Sequence, residues 1–247
     1  MGWSHTMGYV RWVVILAVLM AGAGCVKVDQ TLTLEQDGSG TLAIRYGMAE
    51  QTIAQLEAME QMSRSMGESV EVEDQGPFDF DEDKVRADFA ANKPEGVELV
   101  SVSSELLDGW KYMNIELRFD DLAALKQTEL FEDSRLTLTR NEDGNYLLSQ
   151  GTGSDVGGGE VPGDDLGGEE GAAMMQQMAA MFAGMRIAMT VVVPGEIITT
   201  NATEVSGQTA SWVFDVDEDP TVLTRLDDMD LEVVFAGKGL SLAPVTE

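Results

Sequence analysis

From residue 26 onward, apolar side chains return at every second position in one run after another, and turn-forming residues separate the runs. Val26, Val28, Leu32 and Leu34 alternate with Lys27, Asp29, Thr31, Thr33 and Glu35. Leu42, Ile44, Tyr46 and Met48 repeat the pattern after Asp37-Gly38-Ser39-Gly40, so the first two runs read as a β-hairpin. That glycine-rich turn lacks the Lys-Ser/Thr that would make it a phosphate loop. Further strands are expected at 97–103 and 110–119 around Asp108-Gly109, and at 136–140 and 146–149 around Asp143-Gly144-Asn145. Ile187, Met189, Val191 and Val193 alternate up to a Pro194-Gly195 turn, Trp212 and Phe214 mark another strand, and Leu231, Val233 and Phe235 mark the last. Alternation sends successive side chains to opposite faces, so each strand needs something to cover one face only.

The covering layer shows as a change of period. Ile53, Leu56, Met59, Met62 and Met66 are spaced by three or four within 49–66, an amphipathic helix whose methionines suit a core or an adaptable groove. Val85 and Phe89 give residues 81–92 the same character, with Asn92-Lys93-Pro94-Glu95-Gly96 as the stop. Asp120 is placed to cap a short helix through Leu125. Residues 151–171 are rich in Gly, Asp and Glu with almost nothing apolar, so a disordered loop is expected there. Met174, Met178, Met181, Phe182 and Met185 follow on one helical face, a candidate apolar binding face as much as a core stripe. The fold class expected is α+β: an antiparallel sheet of hairpins packed against a few amphipathic helices and interrupted by that loop.

Ahead of the alternating part, Arg11 precedes the apolar run Trp12 to Met20 and then Ala21-Gly22-Ala23-Gly24-Cys25. The run is short for a permanent membrane span and ends in small residues, which is the layout of an export signal. Ala23-Gly24-Cys25 has the form of a lipobox, whose cysteine thiol accepts diacylglycerol; Gly22 stands where a branched aliphatic residue is usual. The organisation expected is a signal peptide at 1–24 and a single extracytoplasmic domain at 25–247, lipidated at Cys25 and bound to the membrane through that lipid. With Val26 rather than Asp after the cysteine, the periplasmic side of an outer membrane is the expected address in a cell that has one.

Composition narrows the chemistry. There are 44 acids against 15 bases, a formal charge of −29, which repels nucleic acid phosphates and excludes nucleic acid as a partner. Cys25 is the sole cysteine and His5, the sole histidine, lies in the signal. Histidine-based triads, His/Cys metal sites and an internal disulfide are therefore unavailable to the domain, and no catalytic residue, metal site or cofactor is assigned. Asp215-Val216-Asp217-Glu218-Asp219 starts like a calcium loop, yet Pro220 takes the glycine position and Leu226 the position of the bidentate glutamate.

Pro194-Gly195-Glu196-Ile197-Ile198, then Asn201, Gly207 and Ala210-Ser211-Trp212-Val213-Phe214, form a succession that resembles the C-terminal motif of the LppM-type bacterial lipoprotein domain family. The lipobox cysteine with Val26 to Leu34 and Asp37-Gly38-Ser39-Gly40 resembles its start, and Gly96-Val97-Glu98-Leu99-Val100 leading to Phe119-Asp120-Asp121-Leu122 its middle. The Gly-rich insertion at 151–171 departs from that pattern. What the resemblance implies is an extracytoplasmic α+β domain held at a membrane, with lipid or glycolipid binding and no enzymatic activity. Pro194, Gly195, Asn201 and Trp212 match the motif, and their simplest roles are structural: a turn, a backbone-bonding amide and a core aromatic.

Three functions follow as expectations. The first is a non-enzymatic lipoprotein that binds a lipid, glycolipid or envelope component beside the Met-rich helices. The second is a structural envelope lipoprotein that recruits a protein partner, and a carboxylate hydrolase is a distant third.

Overall fold

The computed structural model describes residues 26–65, 80–128, 130–131, 134–152, 182–224 and 230–246. The signal and Cys25, the core of the Gly-rich segment, and Met174, Met178 and Met181 lie outside the described residues.

The strands are β1 (Val26–Leu34), β2 (Gly40–Ala49), β3 (Val97–Leu107), β4 (Trp110–Phe119), β5 (Ser134–Arg140), β6 (Tyr146–Thr152), β7 (Arg186–Val192), β8 (Ile197–Thr200), β9 (Glu204–Ser206), β10 (Thr209–Asp215) and β11 (Asp230–Phe235). The helices are α1 (Glu50–Ser65), α2 (Glu82–Asn92) and the short α3 (Leu122–Lys126), and a 3-10 turn spans Pro220–Thr224. The class is α+β. A seven-stranded sheet runs β3-β4-β2-β1-β7-β10-β9 and a four-stranded sheet runs β5-β6-β11-β8.

One pairing departs from the all-antiparallel expectation: β1 and β7 are parallel, Val28 facing Ile187 and Leu32 facing Val191. Both strands start from the same end of the sheet, so the long chain between them returns to where it began. Hairpin logic from local turns cannot show such a contact, because its partners are far apart in sequence. The loop expected from residue 151 is overturned at its first two residues, Gly151 and Thr152, which close β6, while residues 153–171 lie outside the described ones. Gly151 is the penultimate residue of β6, paired with Arg135 on one side and Asp230 on the other.

On the large sheet, alternation defines an inner face that looks toward the small sheet. At one end this face is deeply buried: Leu32, Leu34, Leu42, Val97, Leu117, Phe119, Val191 and Ala210 pack with Leu136, Leu138, Tyr146, Leu148, Leu231, Val233 and Phe235 of the small sheet. Gly40 is opposite Phe119. A Cβ on Gly40 would sit 2.5 Å from the Phe119 ring and 2.0 Å from the Thr33 carbonyl oxygen, so only glycine admits the ring at this depth. Tyr146 and Phe235 stack across β6 and β11 with centroids 5.7 Å apart.

At the other end, helices replace the second sheet. Asp81 caps α2 by accepting the backbone N–H groups of Asp83 and Lys84. Val85 of α2 and Phe80 just before it pack on Tyr46, Val102 and Met113, and Phe89 reaches the main core. Tyr46 and Phe80 meet edge to face at 5.4 Å between centroids. Asp121, one residue after the expected cap, accepts the Ala124 N–H at the start of α3.

Candidate functional site

Between the doubly layered end and the helix-covered end lies a floor of half-buried apolar residues. The pairing registers fix it as two adjacent rows on the inner face. One row runs Ile115, Ile44, Gln30, Met189, Trp212; the next runs Met113, Tyr46, Val28, Ile187, Phe214. Trp212, Met113 and Tyr46 are buried, whereas Ile115, Ile44, Val28, Ile187, Met189 and Phe214 are only half-buried. The strands that are sealed under the small sheet thus continue into a partly open apolar surface, the kind of lining that apolar ligand sites use.

Gln30 is the polar exception. It sits at the centre of the floor, at a position where β1 carries Val26, Val28, Leu32 and Leu34 to the same face. No hydrogen bond from another described residue reaches its side-chain amide, and that amide is not among the buried polar atoms without a partner, so it keeps its donor and acceptor open to solvent or a ligand on the inner face. Reading for apolar periodicity passes over this residue. The signal that finds it is the interruption itself, the single polar side chain in the inner-facing register of β1.

The motif residues have different work. Asn201 accepts from the Trp212 indole N–H and from the Glu232 backbone N–H, each at 2.9 Å, and donates its amide to the Asp230 carbonyl at 2.6 Å. Trp212 belongs to the large sheet and Asp230 and Glu232 to β11 of the small one. Asn201 is therefore a clasp between the sheets, and it satisfies an indole that is only 3% exposed. At the preceding turn, a Cβ on Gly195 would fall 2.2 Å from the Ala236 carbonyl oxygen, so the chain after Pro194 passes against the end of β11 where a side chain cannot. Gly195, Asn201 and Trp212 thus make close contacts between elements at the rim of the floor, and Pro194 precedes them in the turn.

Of the Met-rich stripe, only Phe182 and Met185 are described. Met185 is buried with Val216 and Val222, and Phe182, Ile187 and Phe214 pack against that group. This small cluster is continuous with the floor through Ile187 and Phe214 and belongs to its packed border.

The acidic run 215–219 is occupied with local backbone. Asp215 accepts the N–H groups of Asp217 and Glu218, Asp217 accepts that of Gly184, and Asp219 accepts the N–H and hydroxyl of Thr221. Among the described residues, no group of three or more His, Cys, Asp or Glu is arranged to hold a metal ion. A separate notch of about 180 Å³ opens at the far end of the molecule between Asp37, Asp120, Leu122, Leu138 and Leu242. It is acid-rimmed and smaller than the roughly 300 to 1,000 Å³ usual for ligand sites.

Among the described residues, two carboxylates have their acidity altered by neighbouring hydrogen bonds. Hydrogen bonds from the Ser104 N–H and hydroxyl, helped by Arg86, hold Glu82 below the usual glutamate range, and the Ser39 hydroxyl and N–H do the same for Asp37.

The described residues form a mixed-sheet α+β domain with a half-buried apolar floor on the large sheet. The chain belongs to the LppM domain family: the family's sequence model matches residues 27–226, and the domain is accordingly of the LppM lipoprotein type. Among solved structures, it is similar to the folded domain of Mycobacterium tuberculosis LppM determined by NMR, at 15% identity, covering 89% of this chain and 96% of that one with a TM-score of 0.44. No curated protein matches the sequence.

Proposed function

We propose that this protein is a non-enzymatic, extracytoplasmic lipoprotein, anchored through lipid on Cys25, whose domain holds a lipid or glycolipid on the half-buried floor. The observation that carries the reading is Gln30 standing alone among Val28, Ile44, Ile115, Ile187, Met189 and Phe214. An acyl chain removes those apolar groups from water, at about 25 cal/mol per Å² buried, and an ester or hydroxyl near the chain's head satisfies the amide. Family membership supports the lipoprotein character, and Ala23-Gly24-Cys25 supports the anchor. The domain contains no histidine, the side chain most often used as a general base, which favours a role in binding over catalysis.

The test is native mass spectrometry of the protein extracted from membranes, compared with Gln30→Leu. Expected is a bound lipid on the wild type, released from or exchanged for a less polar species on the variant, with stability unchanged or raised because a half-buried polar side chain gives way to an apolar one. A wild-type protein that carries no lipid and takes up none from mixed vesicles would sink the reading. Anchoring is read separately, as acyl mass on Cys25.

A further inference from the structure

We propose that the β3-β4 hairpin tip is a second, non-covalent membrane contact that seats the domain on the bilayer with its helix-covered end down. Among the described residues, exposed large apolar side chains are otherwise scattered singly, which is ordinary. The exception is the adjacent pair Leu106 and Leu107, 61% and 49% exposed, at the end of β3. Leu107 is paired with Trp110 and Leu106 with Lys111 across the Asp108-Gly109 turn. Alternation sends Leu107 and Trp110 to the outer face of the sheet and Leu106 and Lys111 to the inner one, so the tip is apolar on both sides.

The registers place this tip beside the point where the chain meets its anchor. Val26 faces Met48, Met48 faces Lys111 and Lys111 faces Leu106, in one row across four strands. At about 4.8 Å per strand, the tip stands roughly 15 Å from Val26 and at the same height. Cys25 precedes Val26, and one residue spans no more than about 3.6 Å. The inference rests on acylation of Cys25 in this respect: a lipid there brings the bilayer surface to the level of Leu107 and Trp110.

The composition of the tip suits that surface. Lys27 Nζ lies 4.1 Å from the Trp110 ring centroid, and Trp110 stacks on Tyr112 at 6.2 Å and 21°. A tryptophan beside a tyrosine and a lysine is the pairing enriched at headgroup depth, where an aromatic body is buried while its polar edge and a neighbouring ammonium stay wet. Asp108, at the turn with φ of 51°, keeps a carboxylate at the apex and limits entry to the interface. With a chain charge of −29, the surface that fits is zwitterionic, because anionic lipid repels the body behind the tip. For a body already held by acyl chains, added contacts act at high effective concentration, so two leucines and one tryptophan suffice to fix orientation.

The experiment reconstitutes the full chain in phosphatidylcholine vesicles brominated near the headgroup end of their acyl chains and measures tryptophan quenching. Subtracting the signal of Trp110→Phe isolates Trp110, with the buried Trp212 as internal reference. Expected is strong quenching of Trp110, lost in Leu106→Ser/Leu107→Ser while flotation with the vesicles is kept, and weakened when anionic lipid is added at low salt. Flotation with Trp110 unquenched overturns the proposal, and so does quenching that survives the double substitution. A chain without acyl mass on Cys25 fails the anchoring reading and leaves this one open to decision: the free thiol is coupled to a maleimide phospholipid and the same difference is read.

Discussion

The two ends of the large sheet are built from the same strands and differ in what covers them. At one end Leu32, Leu42, Leu117 and Phe119 are sealed by a second sheet; toward the other, the continuing strands carry Val28, Ile44 and Ile115, which stay only half-buried beside the cluster that Phe80 and Val85 cover. Both ends use an aromatic ring laid over a glycine, seven residues apart on β2. Phe119 lies over Gly40 on the inner face, and Tyr112 lies over Gly47 on the outer face, where an added Cβ would come within 2.4 Å of the ring. The Phe119 ring enters a closed core. The Tyr112 ring is covered from outside by Arg45, whose guanidinium carbon is 3.9 Å from its centroid. The same local device serves a closed core at one end and an amphipathic surface at the other.

The largest expected effect is at the closed end. Phe119→Ala leaves a cavity between two sheets that cannot collapse on it, at a cost of about 3 to 5 kcal/mol. Ile115→Ala, on the floor four residues earlier in the same strand, should cost about 1 kcal/mol, because only part of its side chain leaves water on folding. Chemical denaturation of both variants checks the contrast. Equal losses would mean that the floor is as tightly packed as the core, and would remove it as a ligand surface.

That contrast explains what the sequence made legible. Alternation placed every one of the residues just named on the correct face, and the turns at Asp37-Gly38 and Asp108-Gly109 fixed both hairpins, because period and turn chemistry are local. Which layer lies over a face is decided by long-range pairing, so the parallel contact of β1 with β7 and the division into two sheets stayed hidden. The motif residues Asn201 and Trp212 were visible as a pattern, while their hydrogen bond joins two sheets that the pattern does not reveal. Gln30 is legible only as a break in the β1 alternation, because apolar periodicity marks a face and not the polar residue set within it. The methionines at 174, 178 and 181 lie outside the described residues.

A middle-sized effect probes the clasp that divides the two ends. Asn201→Ala removes the acceptor shared by the Trp212 indole and the Glu232 N–H and leaves a buried donor without a partner, a loss of about 2 to 3 kcal/mol. Asn201→Asp keeps the acceptor for both N–H groups but sets a carboxylate against the Asp230 carbonyl, so it should recover only part of the loss. Thermal unfolding followed by the emission of Trp212 measures both variants. If Asn201→Ala unfolds with the wild type, the sheets are held by apolar packing alone and the clasp is incidental.

The smallest effect concerns how α2 is held over the open end, where exposed polar contacts take the place of the clasp. Glu82, in the first turn of α2, accepts the N–H and hydroxyl of Ser104 on β3 at 2.8 and 2.9 Å and pairs with Arg86 one turn on. These partners favour its ionised form, so its pKa is depressed in the fold. A depressed carboxylate contributes stability that is fully present above the unfolded glutamate value and is lost as pH falls through the lower, folded value. The tie between α2 and β3 should therefore persist through mildly acidic pH and loosen only below the ordinary glutamate range. The Ser104 amide proton, followed by NMR, should titrate with a midpoint below that range and lose its titration in Glu82→Gln. Because the site is solvent-exposed, global unfolding should shift little while the protection of the α2 and β3 amides, taken relative to their intrinsic exchange rate at each pH, falls at low pH. A Ser104 amide that titrates at the ordinary glutamate value would mean that this contact does not hold α2, leaving Phe80, Val85 and Phe89 to keep the helix over the floor.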